Sequence, residues 1–337
     1  MKKILSLILA CALVFSCAAA LAESVDYTAL PEEKLVFATG SSAETVYCQG
    51  IQKLSDMVKE KTNGRLTIEC YFSGSLGIAT GSETDGVSRG TLDMSVGSTS
   101  LYSADCPYLT PFTAAYVFES YEHYRAVMDS DLWAGMADRI AEDIGIRMLR
   151  GDYTGARHLN LKGTKEIKSP ADMANYKLRV SNNEATLFIA SKVLGANAIG
   201  MNFTEVYQAL QTGTIDGHEN PLTTIVANLF YEVTDSVVLT GHQIEAHALA
   251  INEERWKALD PAYRELINAC WSECVDWIDQ TTLQQEKDLV SFLEGEGLVV
   301  YEIDKTPFIE SATAAYAAYE PMQKYIDTYN AIKALVP

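Results

Sequence analysis

Residues 203–221 read FTEVYQALQTGTIDGHENP, and how this stretch divides decides the fold. Thr204 is a helix-capping residue type, Val206, Ala209 and Leu210 recur on one helical face, and Gly213 suits the left-handed backbone that ends a helix. The spacing predicts a short helix closed by Gly213, a strand over 214–216, and a second helix opened by Pro221 with Asn220 as its N-cap. Residues 87–94, VSRGTLDM, echo the same order. Gly90 ends a helical stretch there, and a strand is expected over 92–96.

The alternation continues on either side. A strand at 35–38 leads into a helix over 45–62 that stops at Asn63-Gly64, and 66–72 alternates as a second strand. KLRV at 177–180 is a strand, followed by a helix through Val193 that ends at Gly195. Strands alternating with helices imply parallel sheets covered on both faces, and two similar halves imply two α/β lobes. Ligands of such sheets collect beyond the carboxyl ends of the strands. Arg179 lies at one such end and the segment 218–221 at another. A strand arginine is ordinarily solvated or paired with a carboxylate; at a strand tip it is also placed to grip an anion in a cleft. From Pro261 to Glu294 a helical pattern runs without Pro or Gly, about 50 Å at 1.5 Å per residue, long enough to brace both lobes. Tyr263, Leu266, Ile267, Cys270, Cys274, Trp277, Ile278 and Thr281 recur at three- and four-residue steps and are expected to form its core stripe.

The 337 residues carry a formal charge of −19, which repels phosphate backbones and argues against nucleic acid as a partner. Lys2 and Lys3, an apolar run and the small residues before Glu23 have the layout of a secretory leader, residues 1–22, cleaved after Ala22. Val14-Phe15-Ser16-Cys17 offers a second processing route, with a lipid anchor at Cys17. Five cysteines follow the leader, at 48, 70, 106, 270 and 274, an odd set without disulfide spacing. His242 and His247, five apart, would face opposite sides of one strand and are expected to be structural, so neither a metal nor a cofactor is implied. No nucleophile elbow or zinc-protease helix occurs, and Ser41 and Ser42 have no recognisable base partner.

Taken together, KLRV-S-N, FTEVYQALQTGTIDGHENP, FYEV and LTGH resemble the extracytoplasmic solute-binding proteins of TRAP transporters, over nearly the whole chain beyond the leader. The resemblance implies a two-lobed, hinged α/β periplasmic-binding-protein fold with a long helix spanning both lobes. It implies lobe I over 33–154 plus 246–285 and lobe II over 155–245 plus 286–337. The function it implies is non-enzymatic: binding a small organic acid outside the cytoplasmic membrane and delivering it to TRAP permease subunits by cleft closure. The alternatives are the ligand-binding subunit of a sensor and an exported α/β hydrolase.

By the same resemblance Arg179 grips the ligand carboxylate, Asn220 contacts the same group, Arg157 is a second arginine of the site, and Phe203 lines the pocket. Glu219, beside Asn220, is a further ligand-binding residue, and either Asn182 or Asn183 faces the ligand. Thr99, Tyr153 and His242 are placed near the pocket by neighbourhood alone. Ser181 stands where proline is usual and His218 where glutamine is usual. Ile78 and Ser98 replace acidic residues of the sialic-acid-binding members, which argues against sialic acid. Dicarboxylates, sugar acids, keto acids and aromatic acids all stay open as ligands, with Phe203, Tyr153 and the many hydroxyls slightly favouring a sugar acid or hydroxy acid.

Overall fold

The computed structural model describes residues 25–77 and 82–337; the leader, Cys17 and Ile78 lie outside them. Eleven strands are described: β1 Glu33–Ala38, β2 Leu66–Tyr71, β3 Met94–Ser98, β4 Ile146–Asp152, β5 Ala156–Leu161, β6 Lys177–Val180, β7 Asn197–Gly200, β8 Gly217–Pro221, β9 Ser236–Ile244, β10 His247–Asn252 and β11 Val299–Tyr301. They form two sheets, ordered β2-β1-β3-β10-β4 and β11-β9-β5-β8-β6-β7. The chain crosses between sheets where β4 runs into β5 and again where β9 runs into β10. These crossings make both sheets mixed rather than wholly parallel. β10 pairs antiparallel with β3 and β4, and β5 pairs antiparallel with β8 and β9, while β1 with β2 and β6 with β7 keep the expected parallel register.

The helices begin and end where local chemistry puts them. Val46–Lys61 (α1) is closed by Asn63 and Gly64 at φ 52° and 81°. In Val206–Thr212 (α2), Gly213 takes φ 72°, and the amides of Thr214 and Ile215 donate back to the Ala209 carbonyl at 2.9 and 3.4 Å. Residues 214–216 are therefore consumed by the cap, and the strand starts later than expected, at Gly217. A Cβ on Gly217 would meet the Asn160 carbonyl at 2.7 Å, so glycine admits β5 at this register. The earlier copy shifts likewise: Thr91 and Leu92 donate to the Gly86 carbonyl, and its strand begins at Met94. Asn220 is in consequence a strand residue, and Pro221 is the N-cap of Leu222–Ala227.

Pro261–Gly295 (α3) belongs to both lobes. Its first half buries Tyr263, Ile267, Trp271, Cys274 and Ile278 in one cluster with Leu35, Phe37 and Ile51. Leu293, near its end, lies in another cluster with Val237 and Leu298. Each such side chain contributes about 1.5–3 kcal/mol of burial. Between these clusters α3 holds the first crossing: Asp279 Oδ1 accepts from the Tyr153 amide at 2.8 Å and Glu286 Oε1 from the Ala156 amide at 2.8 Å. The C-terminal segment departs from its expected place in the second lobe. Tyr316 Oη accepts from the Ala115 amide at 2.8 Å, and His123 Nε2 lies 2.8 Å from the Ile332 carbonyl. The reason is apolar: Met322 and Ile332 are buried in the cluster that holds Phe112, Val117 and Phe118. All five described cysteines are free thiols, four of them buried.

Candidate ligand-binding site

A cavity of about 410 Å3 lies where the strand ends and crossings of the two sheets converge, a size that suits a small molecule. Arg179 reaches it from β6. Both faces of that short central strand are buried, so the guanidinium has no route to bulk water, and the residue is only 2% exposed. Its Nε and Nη2 donate to the Met201 carbonyl at 3.0 and 2.6 Å, and its Cζ sits 5.7 Å from the Phe203 ring centroid. Among the described residues no carboxylate lies within 4.0 Å of it. Burial pushes its pKa down to about 10, with Glu219 opposing and Arg157 adding to the shift. A buried cation without a counter-charge is costly; an anion entering the cavity relieves that cost.

Arg157, on β5, lines the same cavity in the opposite electrostatic condition. Its Nε and Nη2 form a two-point pair with the Glu219 carboxylate at 2.5 and 2.8 Å, and Nη1 donates to Glu245 Oε2 at 3.3 Å. Nη2 also donates to the Glu219 carbonyl and to Asn220 Oδ1. Burial favours loss of the Arg157 proton, but Glu219 outweighs it and raises the pKa. Burial likewise works against an ionised Glu219, yet Arg157 and His242 hold its carboxyl down at about 2.

Asn220 is fixed from behind. His218 is buried, chiefly by desolvation its pKa is pushed down to about 3, and it is therefore neutral. Its Nδ1 accepts from Asn220 Nδ2 at 2.8 Å, which places the proton on Nε2, 2.8 Å from Asn160 Oδ1. Asn160 in turn donates to Thr234 Oγ1 and the Ser236 carbonyl. Such a chain, satisfied at each link, orients the Asn220 amide toward Arg157.

Of the other expected residues, Phe203, Asn182 and Asn183 line the cavity. Asn183 caps the helix Glu184–Phe188 through Oδ1, which accepts from the Thr186 amide at 3.0 Å, and its Nδ2 is buried without a partner among the described residues. Glu219, Thr99, Tyr153 and His242 are buried but do not line it. Glu219 sits behind Arg157; His242 contacts Glu219 at 3.3 Å and Thr240 at 2.8 Å. The Tyr153 hydroxyl turns to Glu286. Thr99 and Tyr153 each stand one residue from a lining residue, Ser98 and Thr154; Thr99 opens the short helix Thr99–Tyr102, and Tyr153 lies in the connection between β4 and β5. Ser98 Oγ lies 2.7 Å from Ser100 Oγ.

Sequence reasoning missed Tyr47, Glu83, Glu245 and His247, all of which line the cavity. His247 was expected to be structural, on one strand with His242. The two lie instead on β9 and β10, on either side of the second crossing. Among the described residues no group of three or more His, Cys, Asp or Glu could hold a metal ion, and no helix is long and apolar enough to cross a membrane.

Residues 37–322 match the family described as Bacterial extracellular solute-binding protein, family 7. The chain belongs to this family. It is a TRAP-type solute-binding protein of the two-lobed fold, and its family is one of extracytoplasmic binding proteins. It is similar to the sialic acid-binding periplasmic protein SiaP of Vibrio cholerae, 30% identical over 280 residues, 83% of this chain and 86% of the relative. It is also similar to a TRAP periplasmic solute-binding protein of Roseobacter denitrificans solved with bound 3-deoxy-D-manno-oct-2-ulosonic acid. That structure has a TM-score of 0.86 and 32% identity, covering 90% of this chain and 100% of the other. A Sulfitobacter solute-binding protein holding β-D-galacturonate superposes at a TM-score of 0.81 with 25% identity, over 90% and 99% of the two chains.

Proposed function

We propose that this solute-binding protein captures a small hydroxylated organic acid, a sugar acid or hydroxy acid, and releases it to a TRAP permease after its two lobes close and reopen. The observation that carries the reading is Arg179: a cation held 2% exposed, bonded among the described residues only to a backbone carbonyl, and opening on a cavity of about 410 Å3. A guanidinium fork and a carboxylate match in geometry and charge. Asn183 Nδ2 adds a buried donor that lacks an acceptor among the described residues, and Phe203 supplies an apolar wall beside the guanidinium. The acids bound in the Roseobacter and Sulfitobacter relatives support a polyhydroxylated ligand. Ser98, standing where sialic-acid-binding members are acidic, speaks against sialic acid itself.

In this reading the lobes are 33–154 plus 246–285 and 155–245 plus 286–319, with 320–337 returning to the first. The protein acts by binding and not by catalysis, and the leader is removed either after Ala22 or ahead of a lipidated Cys17. A thermal-shift screen of organic acids tests the central claim, because a ligand that binds only the folded state raises the melting temperature. Expected is a rise with sugar acids that Arg179→Ala abolishes. A rise that persists undiminished in Arg179→Ala overturns the assignment.

A further inference from the structure

We infer that His247, held by the buried carboxylate of Asp152, is a second ligand contact, reaching from the first lobe to the hydroxylated end of the acid whose carboxylate Arg179 holds. The inference rests on the carboxylate reading above and adds to it the group that selects hydroxylated acids over plain ones.

His247 opens β10 directly after the crossing from β9, and in register it pairs with Ser98 on one side and Asp152 on the other. Asp152 is 0% exposed and ends β4. Its two carboxylate oxygens lie 3.0 and 2.9 Å from His247 Nδ1, which fixes that nitrogen as the donor and the ring in one orientation. The Tyr47 ring, 4.9 Å away, covers one side of the imidazole. Nε2 has no hydrogen-bond partner among the described residues, although His247 lines the cavity. Burial works against a charged imidazole here, but Asp152 opposes it and raises the pKa; with Nδ1 turned to Asp152, Nε2 is the ring atom left for the cavity, a donor in the charged ring and an acceptor in the neutral one. Glu245, two residues earlier, also lines the cavity and accepts from Ser100 Oγ and Arg157. A hydroxyl can both accept and donate, so it can meet Nε2 of His247 in either protonation state and the acceptor on Glu245 together. A methylene chain satisfies neither and leaves both desolvated, which is how a polar site rejects a ligand lacking the group.

The test measures affinities at one pH for D-galacturonate, D-glucuronate, D-galactonate and D-erythronate, with hexanoate as the acid without hydroxyls. Wild-type protein is compared with His247→Leu, His247→Gln and Arg179→Ala. Expected is a preference of at least about tenfold for one or more of the hydroxylated acids over hexanoate, roughly 1.4 kcal/mol. It should be lost in His247→Leu and partly kept in His247→Gln, which retains a donor of similar reach. Melting temperatures without ligand show whether each variant folds, and the wild-type preference stands as a test whether or not His247→Leu folds. A preference intact in His247→Leu, or hexanoate binding wild type as tightly as the hydroxylated acids, overturns the role of His247 and leaves the carboxylate site standing. Undiminished binding by Arg179→Ala, or no acid raising the wild-type melting temperature, overturns the carboxylate site and this inference with it.

Discussion

Arg179 and Arg157 line the same cavity from neighbouring regions of one sheet, and they are held in opposite ways. Arg157 is neutralised twice, by a two-point pair with Glu219 and a third contact to Glu245. Arg179 leans on a single carbonyl and has no acidic partner among the described residues. Buried charge is tolerated when it is paired and is costly when it is not. The first arginine therefore belongs to the architecture of the site and shapes it with or without ligand. In the proposed function the second is an unfilled requirement, relieved when an anion arrives. Binding proteins that close on a ligand need such an asymmetry, because a fully satisfied site would gain nothing from the solute.

The largest effect expected from this difference is on stability. Removing Arg157 leaves Glu219 buried without its cation, which costs about 3–5 kcal/mol. Arg157→Ala should therefore lower the denaturation midpoint of the ligand-free protein sharply, and Arg157→Ala/Glu219→Gln should recover part of the loss. If both variants melt with the wild type, the pair is not the structural unit described. Arg179→Ala should behave in reverse. A hydrogen bond to a charged group is worth about 1.5–3 kcal/mol net, so affinity for the bound acid should fall at least about tenfold. The ligand-free melting temperature should stay level or rise. Calorimetric titration beside thermal melts of the same samples checks both halves, and a large loss of ligand-free stability would show that Arg179 is also architectural.

The contrast between the arginines was only half legible in the sequence. Motif resemblance located both, and the strand-tip position of Arg179 pointed to the cleft. What separated them was Glu219, assigned to the ligand because it stands next to Asn220. On β8 successive side chains face opposite ways, so Asn220 lines the cavity and Glu219 lies behind it against Arg157. Thr99 and Tyr153 also lie outside the lining, one residue from Ser98 and Thr154: Thr99 opens a short helix, and the Tyr153 hydroxyl turns to Glu286. Neighbourhood in sequence locates a strand end, but only the register between strands says which face each side chain takes. Glu245 and His247 were invisible for another reason. They lie at a crossing between sheets, and their partners Arg157 and Asp152 are brought to them by long-range pairing. The helices were legible because their ends are written locally, in Gly213, Asn63-Gly64 and Asp260-Pro261.

A smaller effect should come from the hydrogen-bond chain behind Asn220. His218 touches neither arginine by hydrogen bond, and it acts through Asn220 Nδ2 and Asn160 Oδ1. His218→Leu removes the acceptor that orients the Asn220 amide and strands the Asn160 carbonyl, a loss of about 1–3 kcal/mol in stability for the unsatisfied group. Affinity should weaken severalfold by misplacement of Asn220, less than in Arg179→Ala. His218→Gln, which can supply both an acceptor and a donor, should restore affinity more fully than stability. Ligand titrations and melts of the two variants give the comparison, and equal affinities in His218→Leu and the wild type would mean that Asn220 needs no orienting partner.

The most modest expectation concerns pH, and it again sets the paired arginine against the unpaired one. Glu219 has a folded-state pKa held down at about 2, with burial opposing and Arg157 prevailing, from an ordinary value of 4.5. A carboxyl depressed in the folded state contributes stability that is fully present above its unfolded value and is lost as pH falls through the folded one. The ligand-free protein should therefore lose melting temperature as pH drops from about 4.5 toward 2, the window in which the unfolded chain takes up a proton that the Arg157 pair refuses. Glu219→Gln removes that proton from the balance and should show a shallower decline across the same window, from a lower starting point. Arg179→Ala should keep a slope close to the wild type's, since Arg157 and His242 are what hold the Glu219 carboxyl down. Melting curves of the three proteins between pH 5 and pH 2 decide it. Identical slopes for wild type and Glu219→Gln would show that the Arg157–Glu219 pair is not linked to folding, and a flattened slope in Arg179→Ala would erase the distinction between the two arginines.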